Sequence, residues 1–348
     1  MIGFQTARSS QRGHQQTKLL VIRSRNGETA HLQIGDFPDL LGPGDLLVIN
    51  DSATLPASFT GTHTPSGETV ELRLMQSLGK NPMDLTRWQA VLLGSGDWRT
   101  PTENRGRIPK LSRGDLFEFK KGLFAETFEL SETFPEFIQI KFHGERLEVL
   151  RKIYLAGKPI QYSYLKDELK IWDQQTLFSG PPVSVEPPSA SFPFNWDLYF
   201  RLVGAGVGIA PITHSAGLSS TGNPELDKIL PLPERYWIPD QTAKLVNEAI
   251  AQGSRIIALG STVTRALESA GAQGKLQPGS AVTSLRLGPE HKRRVVSGIL
   301  TGLHEPASSH AKMLESFVSP QLLASAYEQA SQRGYLWHEY GDSCLILA

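Results

Sequence analysis

Between residues 58 and 148 no stretch carries a helical repeat. TVELRLM, WQAVLLG, LFEFKK and FIQIKF are short apolar-rich runs set apart by Gly, Pro and Ser turns. Runs of this length and spacing are strands, and several in succession predict a small β-barrel or sandwich. The chain on either side reads differently, so the all-β stretch is expected as an insertion. A length of 348 residues suits two domains at the usual ~150 residues each. The expected fold is therefore mixed α/β (α+β). Residues 1–57 and 150–348 would form a larger, discontinuous α/β domain, and residues 58–149 the inserted barrel.

The flanking segments support that division. KLLVIRS reads as a strand. FPDLLGPGDLLVIN gives a helical turn, a turn at Gly42-Pro43-Gly44 and a buried strand from Leu46, with Asn50 and Asp51 at its end. DQTAKLVNEAIAQG has helical spacing, with Asp240 as N-cap and Gly253 as stop. RIIALG is a strand, STVTRALESAG a helix ending at Gly271, and RRVVSGIL another strand. HAKMLESFVSPQLLASAYEQASQRG reads as two helices broken at Pro320, and SCLILA as a closing strand. Strands alternating with helices imply an α/β layer.

Thirty-five basic residues balance 35 acidic ones, so no global charge drives the chain to nucleic acid or membrane. The one cysteine, Cys344, excludes an intrachain disulfide and a Cys-based zinc site. The first residues, MIGFQTARSSQRGHQQTK, lack the apolar core of a signal peptide. No run approaches the ~20 apolar residues of a membrane span. A cytoplasmic protein is expected.

Several motifs carry chemistry. GAGVG at residues 204–208 lacks the third glycine of a dinucleotide fingerprint, since position 209 is Ile, and strand-like IAPITH follows it. No P-loop pattern occurs. In IIALGSTVTRALES a buried strand feeds a turn that opens a helix. Gly260, Ser261 and Thr262 lie where free N–H groups and the helix dipole favour an anion, with Arg265 and Glu268 following. Plain capping with a surface ion pair would use the same residues.

HEPASSH resembles the zincin pattern H-E-x-x-H but fails it. The second histidine is His310, six residues on and about 240° round a helix, where Ser308 occupies the fourth. Pro306 also interrupts a regular helix. Glu305 is expected as N-cap and Pro306 as the first helical residue. His304 would then face the helix mouth, with His310 in the second turn. No metal site is expected. YLWHEYGDS places Glu339, Tyr340 and Asp342 around a glycine. A basic stretch in the insertion, with Arg105, Arg107, Lys110 and Arg113, could meet phosphates or form a solvated rim.

In order, PGDLLVINDSATLPA, ALGSTVTRALES, TGLHEPASSHAKM and YGDSCLIL resemble the S-adenosylmethionine:tRNA ribosyltransferase-isomerases of queuosine biosynthesis, from about Lys18 to Leu347. The resemblance implies an α/β domain with an inserted barrel. It also implies ribosyl transfer from S-adenosylmethionine to 7-aminomethyl-7-deazaguanine at a tRNA wobble position. Epoxyqueuosine-tRNA forms, and adenine and methionine leave. S-adenosylmethionine is then a substrate, with no prosthetic group and no metal, and the partners are tRNA and the sulfonium donor. A monomer is expected.

The chain departs from the family at Ser52-Ala53, where Thr-Arg is usual, and at Ser58, which replaces a second Arg. Pro193 replaces a histidine, Leu-Pro-Leu-Pro-Glu234 replaces His-x-Met-His-x-Glu, and Ala307 replaces a lysine. Asp51, Thr262, Arg265, Glu268, His304, Pro306, Ser308, Tyr340 and Asp342 match.

The chemistry assigns roles. The sulfonium acidifies the C5′ protons, so a base near neutral in pKa is needed. His304 is the candidate, its pKa expected to be lowered by a helix N-terminus. Asp51 or Asp342 could hold the ribose or face the sulfonium. The Gly260–Thr262 turn with Arg265 could receive the methionine carboxylate. Glu268, Ser308 and Tyr340 would complete the substrate site. Two other readings stay open: a relative that binds nucleoside or RNA without ribosyl transfer, and an S-adenosylmethionine-dependent transferase acting on a small molecule.

Overall fold

Leu46–Asn50 organises the larger layer. All five of its residues are buried, as an internal strand covered on both faces requires. It pairs in parallel with Gly208–His214 on one side and Ile256–Leu259 on the other. The computed structural model describes residues 5–9, 16–79, 84–221, 223–305 and 308–348. Among the described residues nine strands form this sheet. Their order is Gly279–Thr283, Glu234–Ile238, Gly208–His214, Leu46–Asn50, Ile256–Leu259, Gly298–Gly302, Ser343–Leu347, Lys18–Arg23 and Glu28–Gln33. The four central strands run parallel. Antiparallel pairs flank them at Gly298–Gly302 with Ser343–Leu347 and at Gly208–His214 with Glu234–Ile238.

Alternate residues point to opposite faces. Val48, Ala258 and Ile299 join Val246, Val263, Leu267 and Tyr327 in one core. The last four come from helices Asp240–Gln252, Ser261–Ala270 and Pro320–Gln332. Leu47, Ile49 and Ile257 pack on the other face against Phe37, Leu198 and Leu202. One helix start differs from the sequence reading. Asp240 is not an N-cap: Pro239 occupies that position and Asp240 is the first helical residue, where its charge still suits the dipole. Gly253 does end the helix, at φ 67°, a conformation that favours glycine.

The insertion closes into a barrel of six strands among the described residues. Its order is Leu123–Leu130, Phe137–Phe142, Arg87–Leu93, Glu68–Ser77, Ser58–His63 and Leu116–Phe119, which returns to the first. Phe59, Phe119 and Phe142 meet inside it at ring separations of 5.6–5.7 Å. Helix Arg146–Ala156 packs Val149 and Ile153 into the same core, so it straddles the 149/150 division read from the sequence. The segment that follows sheet strand Gly208–His214 is tied to the barrel where Leu218 N–H donates to the Met75 carbonyl (3.2 Å).

Arg105, read from the sequence as either a phosphate contact or part of a solvated rim, is neither exposed nor solvated. Its side chain is 3% exposed and pairs with Glu71 at 2.6 Å. Glu71 also accepts from Arg73 Nε at 2.6 Å and Ser58 Oγ at 2.8 Å. Two guanidiniums outweigh the burial that would otherwise neutralise the acid, and its pKa is lowered. Glu71→Ala would strand two buried cations. We predict a loss of about 3–5 kcal/mol in the urea unfolding of the full chain. A loss below about 1 kcal/mol, the size of an exposed pair, would mean that the network is solvated.

Candidate functional site

The parallel strands deliver His214, Asn50, Leu259 and Gly302 to one edge of the sheet. The antiparallel neighbours begin there, bringing Glu234 and Ser343 with Asp342 just before it. This carboxyl edge is where open α/β sheets hold ligands.

Asn50 ties the edge together. Its Oδ1 accepts from the N–H groups of His214 (2.9 Å) and Ser52 (3.1 Å). Its Nδ2 donates to the His214 carbonyl (3.0 Å) and reaches Thr262 Oγ1 (3.5 Å). Asp51, next along, accepts from Thr213 Oγ1 at 2.6 Å. Burial raises its pKa, partly offset by that hydrogen bond.

Helix Ser261–Ala270 starts from Gly260, which has φ 93° and provides no side-chain cap. An added Cβ there would lie 3.3 Å from the Ala190 side chain. The first-turn N–H groups of this helix, Ser261 among them, have no intrahelical partners and suit an anion. Arg265 does not add a free charge: its guanidinium forms a buried ion pair with Glu234. Glu234 also accepts from Gly217 N–H at 2.9 Å.

Glu268 does not reach this edge as a substrate ligand. Its carboxylate accepts from the N–H groups of Arg294, Val295 and Val296 at 2.9–3.0 Å, with His291 Nε2 at 3.2 Å. It clamps the 291–296 segment. Asp342 is also committed to the backbone, accepting from Lys18 N–H and Leu336 N–H, each at 2.8 Å.

Ser308 is the N-cap that Glu305 was expected to be. It accepts from Ala311 N–H at 3.1 Å and donates to the Glu305 carbonyl at 2.7 Å. The helix is Ser309–Leu314, and Pro306 lies outside the described residues. The later start puts His310 in the first turn, not the second. Its ring stacks on His304, with centroids 4.7 Å apart and planes 14° from parallel. His304 Nε2 meets Thr301 Oγ1 at 2.8 Å.

Three imidazoles at this edge are held neutral. Burial puts His304 well below its ordinary value, and the neighbouring His310 and His338 lower it further. His310 and His214 fall to about 4, burial again leading. His304 was expected to be near neutral in pKa, lowered by a helix N-terminus. The lowering is larger, and desolvation causes it.

A second group, not found from the sequence as a cluster, lies alongside. Tyr162 donates to Glu186 Oε1 at 2.5 Å. Tyr162 stacks on Tyr164 at 6.1 Å, and Tyr164 on His338 at 5.0 Å. Burial raises the Glu186 carboxyl, and burial plus the Glu186 charge push Glu339 up to about 8. Glu339 and His338 line a cleft of about 260 Å³ with Trp172, Phe192 and Tyr340. Tyr340 stacks on Phe192 at 4.9 Å and donates to the Asp173 carbonyl at 3.4 Å. Arg107, Lys110 and Arg113 are exposed on the barrel, away from this set in sequence. Among the described residues no cluster of three His, Cys, Asp or Glu side chains suits a metal ion, and no helix is long and apolar enough to cross a membrane.

Residues 4–346 match the model of a family described as queuosine biosynthesis protein. The chain belongs to this family. A relative from Thermus thermophilus, named S-adenosylmethionine:tRNA ribosyltransferase-isomerase, is 31% identical over 94% of this chain and 92% of its own length. One of the same name from Afipia carboxidovorans is 31% identical over 94% of this chain and 91% of its own. The solved S-adenosylmethionine tRNA ribosyltransferase of Thermotoga maritima shares the fold. It has a TM-score of 0.52 and 21% identity, covering 98% of this chain and 96% of that one. Two departures from the family pattern have structural consequences here. Ser58 serves the Glu71 network, and Pro193 lines the cleft.

The histidine cluster makes stability fall in acid. Above about pH 6.5 these groups are neutral whether folded or not. Below it the unfolded chain takes up protons that the folded site resists, down to its depressed pKa values. Glu339 acts oppositely: its contribution is full below the unfolded carboxyl value and is lost as pH rises through about 8. His310→Gln should therefore lose less Tm than the parent chain between about pH 6.5 and 4, the window between the unfolded and folded values. Parallel Tm curves would show that His310 does not resist protonation.

Proposed function

We propose that the chain transfers and isomerises the ribosyl part of S-adenosylmethionine onto tRNA, the activity for which its relatives are named. The acceptor is the aminomethyl group of 7-aminomethyl-7-deazaguanine at the wobble position, and the products are epoxyqueuosine-tRNA, adenine and methionine. The observation that carries this reading is the stacked, neutral His304–His310 pair, beside a cleft at the carboxyl edge of the family's fold.

The chemistry follows from those groups. The sulfonium makes a C5′ proton acidic, and His304 takes it. With Nε2–H donating to Thr301 Oγ1, Nδ1 carries the lone pair. His310 stacks behind the ring and fixes its plane. Asp51 faces the sulfonium, whose charge favours the ionised carboxylate against the burial that raises its pKa. The first-turn N–H groups after Gly260, with the Ser261 and Thr262 hydroxyls, receive the methionine carboxylate. Arg265, balanced by Glu234, lies in the helix that this turn opens, while Asp342, Ser308 and Glu268 fix the backbone at Lys18 and Leu336, at the start of helix Ser309–Leu314 and at residues 294–296. Tyr340 forms the cleft wall. S-adenosylmethionine is consumed as substrate, with no prosthetic group, by a cytoplasmic monomer.

The test is adenine release by purified chain, S-adenosylmethionine and tRNA carrying the modified base. His304→Ala should lower kcat by about 10²-fold or more, the usual share of a general base, with Tm little changed. Because its pKa is depressed, His304 stays basic from about pH 8 to 6, and kcat/KM should not fall across that range on its account. Normal turnover by the variant removes His304 from the mechanism.

Arg107, Lys110 and Arg113 are assigned to tRNA phosphates. Replacing each by Ala should weaken tRNA binding and reduce the slope of log affinity against log salt by about 1. An unchanged slope would free these residues from the interface.

A second reading is favoured by one observation: Arg265 is already neutralised by Glu234. A relative that had given up the donor site would bind RNA alone. Calorimetric titration with S-adenosylmethionine distinguishes the two, since only the transferase takes it up.

A further inference from the structure

Trp172 is 77% exposed, although it lines the cleft beside the candidate site. An indole left in water usually lies on a pliable loop or in a surface that something else covers. This one is held rigidly. It lies in the single helical turn Ile171–Gln174, closed where Lys170 N–H donates to Asp173 Oδ2 at 2.7 Å. Gln174, 2% exposed, donates from Nε2 to the Ile160 carbonyl at 2.9 Å, and its own carbonyl accepts from Thr54 Oγ1 at 3.0 Å. Gln175 pairs with the Thr54 backbone in both directions, at 3.1 and 2.9 Å. The Asp173 carbonyl takes the Tyr340 hydroxyl from the opposite wall. These anchors fix the turn to the segment that follows Asp51 and to the Tyr340 wall, while the ring itself stays exposed.

The rest of the cleft narrows the choice of occupant. Its inner wall is the parallel Phe192–Tyr340 stack. Polar edges come from His338 and Glu339, and Gly302 joins it to the strand that leads to His304. A flat, aromatic, hydrogen-bonding group suits an exposed ring facing such a slot.

Resting on the ribosyl-transfer reading, we propose that Trp172 is a stacking platform for a nucleobase at the cleft mouth. The base belongs either to the tRNA or to the adenine of the donor. Stacking on an aromatic side chain is sequence-tolerant and is lost on truncation to Ala. Trp172 is thus a positioning residue that raises affinity without taking part in bond changes.

The experiment uses the full chain with Trp172→Ala and Trp172→Phe. KM and kcat are measured for S-adenosylmethionine and for modified-base tRNA, and binding of an anticodon stem-loop RNA is followed by tryptophan fluorescence. Trp172→Ala should raise one KM about tenfold, with kcat within about twofold, and Trp172→Phe should recover most of the loss. A shift confined to tRNA assigns an RNA base, and one confined to S-adenosylmethionine assigns adenine. If neither KM moves, or if the Phe variant is as impaired as the Ala variant, the platform is refuted. Failure of the underlying reading looks different: the parent chain releases no adenine. The fluorescence arm then decides alone, and RNA quenching that is equal in the parent and Trp172→Phe chains removes the indole from the contact.

Discussion

Asn50 is the point on which the site depends. A buried amide must find partners for both ends or cost the fold the full desolvation of the unpaired group. This one finds them on the His214 backbone, the Ser52 N–H and the Thr262 hydroxyl. Four segments are therefore held at one place: the end of Leu46–Asn50, the turn to Asp51, the end of Gly208–His214 and the start of Ser261–Ala270. The Ser52–Ser184 hydroxyl contact (2.7 Å) and the Ser184 bond to the His214 carbonyl extend the lock to the segment that carries Glu186. Loop residues around the edge gain their positions from this rigid centre.

Much of the fold is legible because its signals are local. The helical spacing of Asp240–Gln252 and its terminal glycine are contained in one window, as is the alternation in the barrel strands. Misses occur where local pattern is weak. Ser58–His63 is SFTGTH, with one large apolar side chain. It is a strand because its neighbours close the barrel across it, and Gly61 is needed where an added Cβ would fall 2.4 Å from the Glu118 carbonyl. Pro239 takes the capping position from Asp240 because nothing in composition alone fixes a helix start to one residue.

The site is legible only in part, for the same reason. His304, Thr262 and Asp51 stand in short motifs and can be read as placed at strand ends. The environment of each cannot. Asp342 meets Lys18 across 324 positions, and His214 and Arg265 both reach Glu234. Arg105 reads as one of a basic run in the sequence, whereas in the fold its partner is Glu71, buried across the barrel. A helix running on from Pro306 would turn His310 away from His304. Starting it at Ser309 turns an apparently divergent pair into a stack. Which charges face solvent and which face one another is a tertiary property, and it decides what each side chain can do.

The titration pattern gives the edge a common electrical character. Near neutral pH the His214, His304 and His310 rings are uncharged, Glu339 holds its proton to about pH 8, and Arg265 cancels Glu234. Desolvation is the leading cause in each shifted group, so the site stays poor in net charge because charge is costly there. A cation entering such a region changes the balance more than it would in water, since the local dielectric is low. For a sulfonium donor the response has a definite direction. Asp51 and Glu339, both raised by burial, become more acidic beside the positive charge, whereas the imidazoles become harder still to protonate. The donor would thus draw out its own counter-ions while leaving His304 with a free lone pair, so that on the proposed reading the burial that would weaken His304 as a base would also keep it unprotonated beside the bound donor.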